Sequence, residues 1–477
     1  ISADPNPEGP GIIEEHVGDA FPEQTFLSRY QSFSPGSYAI SKNSMVLSLI
    51  KGFKVKVRVF STLSKASKQT IFNINSLSLF IDEDGAVALR LGDKTISPNV
   101  KLNLRQWYQL EASYDAKTNQ LAIEYTLLAS KKSVTSKASA VFDLSSKTLQ
   151  GRICIAAELS ADEACNYFNG KIESPAIYEN ETSEPERLLI SWDFSNSIST
   201  NTVQDNAQDQ YELELVNLPS RAVTGSSWDA TEMCWRHKPE HYGAIHFHDD
   251  DIYDFNWKTD FSFNVPANLA SGIYVMRIKS GDFEDALPFF VCPPLGTKQA
   301  KLCVLIPTFT YVVYGNHART DFKESWKERI KNWSAYPHNP AEYKHYGLST
   351  YNFHSDGSGI CYASHRRPLL NLRPGFITFG DGESSGLRHF QADSHLISWL
   401  HAKNIAYDII TDNELHNEGL KVLDGYDVVT TTTHPEYHTL ATLDALQDYR
   451  DTGGNLLYLG GNGLYWRLTL HFYLLNI

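Results

Sequence analysis

Residues 302–316 read LCVLIPTFTYVVYGN. The run from Lys301 to Pro307 is apolar without alternation, which suits a strand buried on both faces and therefore a parallel sheet covered by helices. Downstream the same architecture repeats. Residues 393–404 (DSHLISWLHAKN) put Leu396, Ile397 and Leu400 on one helical face, and residues 406–410 follow as a strand. Residues 426–430 and 456–459 read as two more strands, with a helix over 439–451 between them that Gly453 and Gly454 close. Strand-helix-strand alternation of this kind predicts a doubly wound α/β domain over residues 296–477.

Upstream the periodicity changes from 3.6 to 2. Between Phe26 and Tyr178 come FKVKVRVF, SLSLFI, AVALRL, QWYQLEASY, QLAIEYTLL and GRICIAAEL, separated by turns such as DEDG and DAKTNQ. This predicts an antiparallel sandwich over residues 26–187, similar to concanavalin-like and laminin-G-like domains, with 106–114 and 120–126 as its clearest hairpin. Residues 188–295 continue as strands up to SGIYVMRIKSGDFEDALPFFV and are expected to form a smaller immunoglobulin-like sandwich, with Gly281-Asp282 as a hairpin turn. The N-terminal segment 1–25 is expected to belong to that second sandwich.

Composition narrows the function classes. The 477 residues include 42 Lys+Arg against 56 Asp+Glu, a formal net charge of −14, and no basic stripe to follow a phosphate backbone, so nucleic acid is not an expected partner. No apolar stretch reaches the roughly 18 residues that span a bilayer, and no membrane association is expected. The chain reads as cytoplasmic and globular, rich in aromatics at 12%. Six cysteines without CxxC spacing read as buried free thiols. The chain opens at Ile1 without a Met and closes soon after a strand-turn motif, as expected of a fragment whose C-terminal domain is incomplete.

Ligands of open parallel sheets bind beyond the carboxyl ends of the strands. Three such ends here carry polar motifs: Tyr311 and Tyr314 after the first strand, His434 and Glu436 in DVVTTTTHPEY, and Gly460, Gly461 and Asn462 in NLLYLGGNG. Between the first two lies YGLSTYNFHSDGSGICYASHRRP, a loop dense in Tyr351, His354, Asp356, Tyr362, His365, Arg366 and Arg367. Tyrosine serves as a packing residue as readily as a ligand, and the choice between Tyr311 and Tyr314 stays open. Glu436, directly after a proline at a buried strand end, needs a partner because an isolated buried charge is expensive. His434 suits a base, an orienting group or a satisfied loop histidine. His246 and His248 share one face of a strand and form a possible metal pair, but no third ligand stands at recognisable spacing. No GxSxG elbow, GxGxxG or Walker loop occurs, and the turn where amidotransferase-like domains present a cysteine holds Asn462.

The ordered motifs DPNPEGPG, SFSPGSYA, WDFSNSI, FNVPANLASGIYVMRI, TFTYVVYGN, YGLSTYNFHSDGSGICYASHRRP, HPEY and GGNGLYW resemble the large (beta) subunit family of the N,N-dimethylformamidases. That resemblance implies an amidohydrolase with an amidotransferase-like α/β catalytic domain. It implies a mononuclear non-haem iron, ferric by the hardness of its donors, held by Tyr314 of TYVVYGN, Tyr351 of GLSTY and Glu436 of HPEY. His434 and Asn462 are then the residues expected to assist catalysis. It also implies a small alpha subunit, a hetero-oligomer, and hydrolysis of small formamides to formate and dimethylamine. The competing expectation is a non-catalytic glycan- or protein-binding chain on an α/β scaffold.

Overall fold

The computed structural model describes residues 35–470, apart from 130–134, 142–147, 162, 180–185, 208–209, 256–258, 260–261, 282, 320–323 and 380–384. The expected N-terminal segment, residues 1–25, lies outside the described residues. The chain divides into two compact units. One comprises Phe33–Phe255 with Phe353–Cys361, and the other includes Asn256–Asn352 and Tyr362–Ile477.

In the first unit, alternation along each strand sorts side chains between core and solvent. Phe53–Ser61 buries Phe53, Val55, Val57 and Val59, and its neighbour Trp107–Asp115 buries Tyr108, Leu110, Ala112 and Tyr114. Two antiparallel sheets follow. One runs Thr202–Val203, Leu213–Val216, Tyr38–Ser48, Thr148–Ile155, Gln69–Ile74, Leu77–Ile81, Val87–Leu91, Lys94–Ile96. The other runs Ser220–Val223, Ala244–Phe247, Gly170–Glu179, Phe53–Ser61, Trp107–Asp115, Gln120–Leu127, Thr135–Val141, with Arg187–Ser191 also on Gly170–Glu179. Their facing side chains make one core, with Val57, Leu110 and Ile172 from one sheet against Ile71, Leu79, Leu89 and Ile153 from the other. The expected hairpin is present: Asp115 pairs with Gln120, its carboxylate accepts from the Lys117 N–H at 2.8 Å, and Asn119 takes the positive φ of 54° that closes the turn.

The strands from Arg187 to Phe247 differ from expectation. Instead of starting an immunoglobulin-like domain over 188–295, they pair with Gly170–Glu179 and Tyr38–Ser48 and complete the first sandwich. Trp192 shows why: it is 1% exposed within the shared core, and its indole N–H donates to the Tyr211 carbonyl at 2.8 Å. Among the described residues of 256–295, strand structure is confined to the hairpin of Gly272–Ser280 with Phe283–Val291, where Gly281 turns at φ +60°. All six cysteines are free as expected, but only Cys154 and Cys303 are buried.

The second unit holds a four-stranded parallel sheet in the order Tyr407–Thr411, Leu302–Ile306, Val428–Thr430, Asn455–Leu457. The unbroken apolar run of the second of these strands has a direct cause. Cys303 and Leu305 pack with Ile410, Leu415, Leu446 and Tyr449 on one face, while Val304 and Ile306 pack with Ile409, Phe390 and Leu400 on the other. Helices Phe390–Ala402, Asp412–Glu418 and Leu440–Asp451 supply those layers, the last capped by the Thr439 side chain. No helix among the described residues is long and apolar enough to cross a membrane.

One element runs against local propensity. Residues Thr308–Val313 (TFTYVV) are rich in β-branched residues and read as extended, yet they form a short helix. The buried Asp412 carboxylate accepts from the Phe309 N–H at 2.8 Å, satisfying a donor of the first turn. Burial raises the Asp412 carboxyl from 3.8 to about 8, with the Phe309 N–H opposing and Glu414 reinforcing the shift. A folded-state pKa above the unfolded one means that the native state takes up a proton, so stability falls as pH rises from about 4 to about 8. Asp412→Asn is expected to flatten that fall, read as the difference in urea midpoint between pH 5 and pH 8. An unchanged slope would show that Asp412 does not titrate in this way.

Candidate active site

Tyr314 ends the short helix after Leu302–Ile306, and Glu436 lies in the loop after Val428–Thr430, so both sit beyond carboxyl ends of adjacent parallel strands. The Glu436 backbone N–H donates to Thr310 Oγ1 at 3.2 Å, which ties the loop to that helix. The turn that follows Asn455–Leu457 closes against the same loop. Gly461 N–H donates to the Thr433 carbonyl at 2.9 Å, and a Cβ at Gly460 would stand 2.4 Å from Pro435 Cδ, which is why only glycine fits there.

Two loops bring in the remaining tyrosine. Asn316 accepts from the Leu370 N–H at 2.9 Å and donates to the carbonyls of Gly347 at 3.0 Å and Pro368 at 2.6 Å. The buried Arg367 guanidinium donates to the carbonyls of Leu348 at 2.9 Å, Ser364 at 2.9 Å and Gly315 at 3.3 Å, as well as to that of Gly347. Burial lowers its pKa only to about 10, so it stays charged. Ser349 Oγ donates to the Val313 carbonyl at 2.9 Å and accepts from the Tyr351 N–H at 3.1 Å. These bonds fix Tyr351 beside Tyr314.

The three expected ligands meet. Tyr314 donates its phenol proton to Glu436 Oε2 at 2.8 Å, and Tyr351 donates to Glu436 Oε1 at 3.3 Å. The two rings stack with centroids 4.2 Å apart and planes 11° from parallel. Glu436 is 2% exposed, Tyr314 3% and Tyr351 39%, so the group is closed on one side and open on the other. Burial, with hydrogen bonds to Tyr351 and Glu436, raises the Tyr314 phenol well above its ordinary value and keeps its proton in place without a cation. Two phenol oxygens and one carboxylate could hold a hard trivalent or divalent ion, which would replace the two phenolic protons.

Tyr311 lies elsewhere. It donates to Asp393 Oδ2 within an apolar cluster with Phe390 and Ile306, and the other Asp393 oxygen accepts from Thr433 N and Oγ1 at 2.8 and 2.6 Å. Of the two tyrosines, Tyr314 is the one that hydrogen-bonds to Glu436, whereas Tyr311 bonds to Asp393.

Around the trio stand residues that motif reading did not single out. Tyr437 shares a 2.6 Å hydrogen bond with the Tyr351 hydroxyl, Arg388 lies 4.5 Å from the Tyr314 ring centroid, and the His389 ring centroid is 4.3 Å from it. His389 faces His434 with centroids 5.5 Å apart. Burial and the Arg388 charge lower the pKa of both imidazoles, which favours their neutral forms. His389 Nε2 and His434 Nδ1 are buried without a hydrogen-bond partner among the described residues. A cavity beside Tyr314 is lined by His317, Trp326, Tyr336, Phe376, Arg388 and His389. Asn462 is exposed at φ 51° and hydrogen-bonds to none of Tyr314, Tyr351, Glu436 or His434 among the described residues. Cys361 is exposed, and the His246–His248 pair lies in the sandwich unit.

Two phenols and a carboxylate thus gather beyond the ends of parallel strands in a β-rich chain, and such donors could hold a hard metal ion. The relatives of the chain give it a family. Residues 220–473 match the model for the C-terminal region of N,N-dimethylformamidase beta subunit-like proteins. The chain is 33% identical over 99% of its length to the N,N-dimethylformamidase beta subunit of Paracoccus aminophilus, covering 68% of that protein, and 32% identical to that of Alcaligenes sp. with the same coverage. The chain belongs to the N,N-dimethylformamidase beta subunit family, whose named members are hydrolases of amide C–N bonds. A carbohydrate-binding protein from Bacteroides ovatus, described as putative, aligns at 13% identity over 39% of this chain and 59% of its own, with a TM-score of 0.29, too low to bear on fold or ligand.

Tyr311→Phe removes one buried hydrogen bond, to Asp393, and none to the carboxylate of Glu436. It is expected to lower stability by about 1 kcal/mol and to leave metal content unchanged, measured by urea unfolding and elemental analysis of the same sample. Loss of metal in Tyr311→Phe with retention in Tyr314→Phe would identify Tyr311 instead as the ligand.

Proposed function

We propose that this chain is the metal-bearing subunit of a cytoplasmic amide hydrolase, acting on N,N-dimethylformamide and similar small N-substituted formamides with a smaller alpha subunit as partner. The convergence of Tyr314, Tyr351 and Glu436 on one carboxylate carries the reading. The parallel-sheet unit is the catalytic domain in this proposal. Its strand-end crevice is where such sheets bind ligands.

Tyr314, Tyr351 and Glu436 would hold a single ferric ion, which would supply Lewis-acid polarisation of the amide carbonyl and a lowered pKa for water. The remaining chemistry falls to side chains. His434, favoured as neutral imidazole with Nδ1 unpartnered, would take a proton from the attacking water and return it to the leaving amine. His389 and Arg388 form a positively polarised wall beside Tyr314 that suits a carbonyl oxygen gathering negative charge. The apolar lining of Trp326, Tyr336 and Phe376 suits N-methyl groups. The water oxygen bonds to the carbonyl carbon, the C–N bond breaks, and formate and dimethylamine leave. For Asn462 a part in orienting substrate rests on its motif alone, since its side chain faces solvent.

Assayed as the full protein with its partner subunit, the wild type is expected to release formate and dimethylamine in equal amounts from N,N-dimethylformamide. Tyr314→Phe, Tyr351→Phe and Glu436→Gln are each expected to lose iron and on the order of 10³-fold in kcat. Full turnover in an iron-free Glu436→Gln preparation would refute the assignment.

A further inference from the structure

A second cluster lies in the sandwich unit. His246 lies on the strand Ala244–Phe247, and His248, just past its end, follows two residues later on the same face. The third partner comes from the segment Phe353–Cys361, which belongs to the same unit. His246 Nε2 stands 3.0 Å from Asp356 Oδ2, and His248 Nε2 stands 3.9 Å from the same oxygen. The three are 7%, 1% and 8% exposed, and their donor atoms lie within 4.8 Å of one another.

We propose that His246, His248 and Asp356 form a binding site for one divalent transition-metal ion, with zinc the best match to the donor set, separate from the tyrosine site and independent of it. Ligands about 2.0–2.2 Å from a tetrahedral zinc lie roughly 3.3 Å apart, so the 3.0 and 3.9 Å separations bracket what coordination needs. The two imidazole planes are tilted by 43°, which allows both in-plane lone pairs to converge.

The outer contacts are those of a metal site. His248 Nδ1 is 3.0 Å from Asp251 Oδ2, a carboxylate that would hold the proton on Nδ1, and Nε2 lies 2.9 Å from Ser358 Oγ, a contact that an ion on Nε2 would displace. Asp251 is itself held by Ser37 Oγ at 2.6 Å. The second Asp356 oxygen accepts from the Ser358 N–H at 2.8 Å and from Ser358 Oγ at 2.5 Å, leaving Oδ2 directed at the imidazoles. His354, stacked on His248 with centroids 3.8 Å apart, is bonded to Asp250 at 2.7 Å.

Such an ion would pin the segment Phe353–Cys361 to the sandwich strand, a link that spans 110 residues of sequence.

The test is zinc stoichiometry of the full protein, measured by elemental analysis after removal of metals, exposure to zinc and desalting. Wild type and Glu436→Gln are each expected to retain one equivalent, whereas His246→Asn and Asp356→Asn retain none. Wild type is also expected to lose several degrees of thermal stability in a chelator, and Asp356→Asn to show no such response. The site is overturned if wild type retains no zinc, which requires no variant to fold, or if Asp356→Asn keeps the full equivalent. An equal stability in chelator and zinc for the wild type would likewise identify the cluster as a hydrogen-bonded imidazole-carboxylate network only.

Discussion

Burying the Glu436 carboxylate is the constraint around which the parallel-sheet unit is arranged. A lone carboxylate at 2% exposure carries a desolvation cost of several kcal/mol, and the chain offsets it with two phenolic donors drawn from distant segments. One donor requires a helix where propensity favours a strand, with Asp412 at its start and Tyr314 at its end. The other requires a loop clamped by Asn316 and Arg367 through backbone carbonyls. Neither clamp touches the carboxylate, yet both set where the phenols stand.

That arrangement also explains the separation of roles among tyrosines of one motif. Tyr311 and Tyr314 are three residues apart, and the buried Asp393 captures the first while Glu436 captures the second. Asp393 simultaneously holds Thr433, three residues before Glu436. The scaffold and the ligand loop are thereby fixed by one carboxylate, and the phenol pair by another.

Much of this was legible in sequence where the signal is local. The apolar run at Leu302–Ile306 announced a strand covered on both faces, and HPEY placed an acid at a strand's carboxyl end. The helix Thr308–Val313 was not legible, because its β-branched residues favour extension and its stabilising acceptor, Asp412, is about a hundred residues away. The strands of 187–247 misled for a related reason. Short alternating runs specify strands but not partners, and theirs lie on Tyr38–Ser48 and Gly170–Glu179. His246 and His248 had no third partner legible in sequence, because Asp356, 3.0 Å from His246, comes from the distant segment Phe353–Cys361.

The central claim is that the buried carboxylate and its two phenols are a metal's ligands rather than a self-contained hydrogen-bond group. The visible spectrum of the iron-loaded full protein with its partner tests this most directly. Tyrosinate bound to ferric iron gives a charge-transfer band, so the account predicts a coloured protein whose band weakens in Tyr351→Phe and disappears when both tyrosines are replaced by phenylalanine. A wild-type protein that binds iron stoichiometrically yet shows no such band would contradict it.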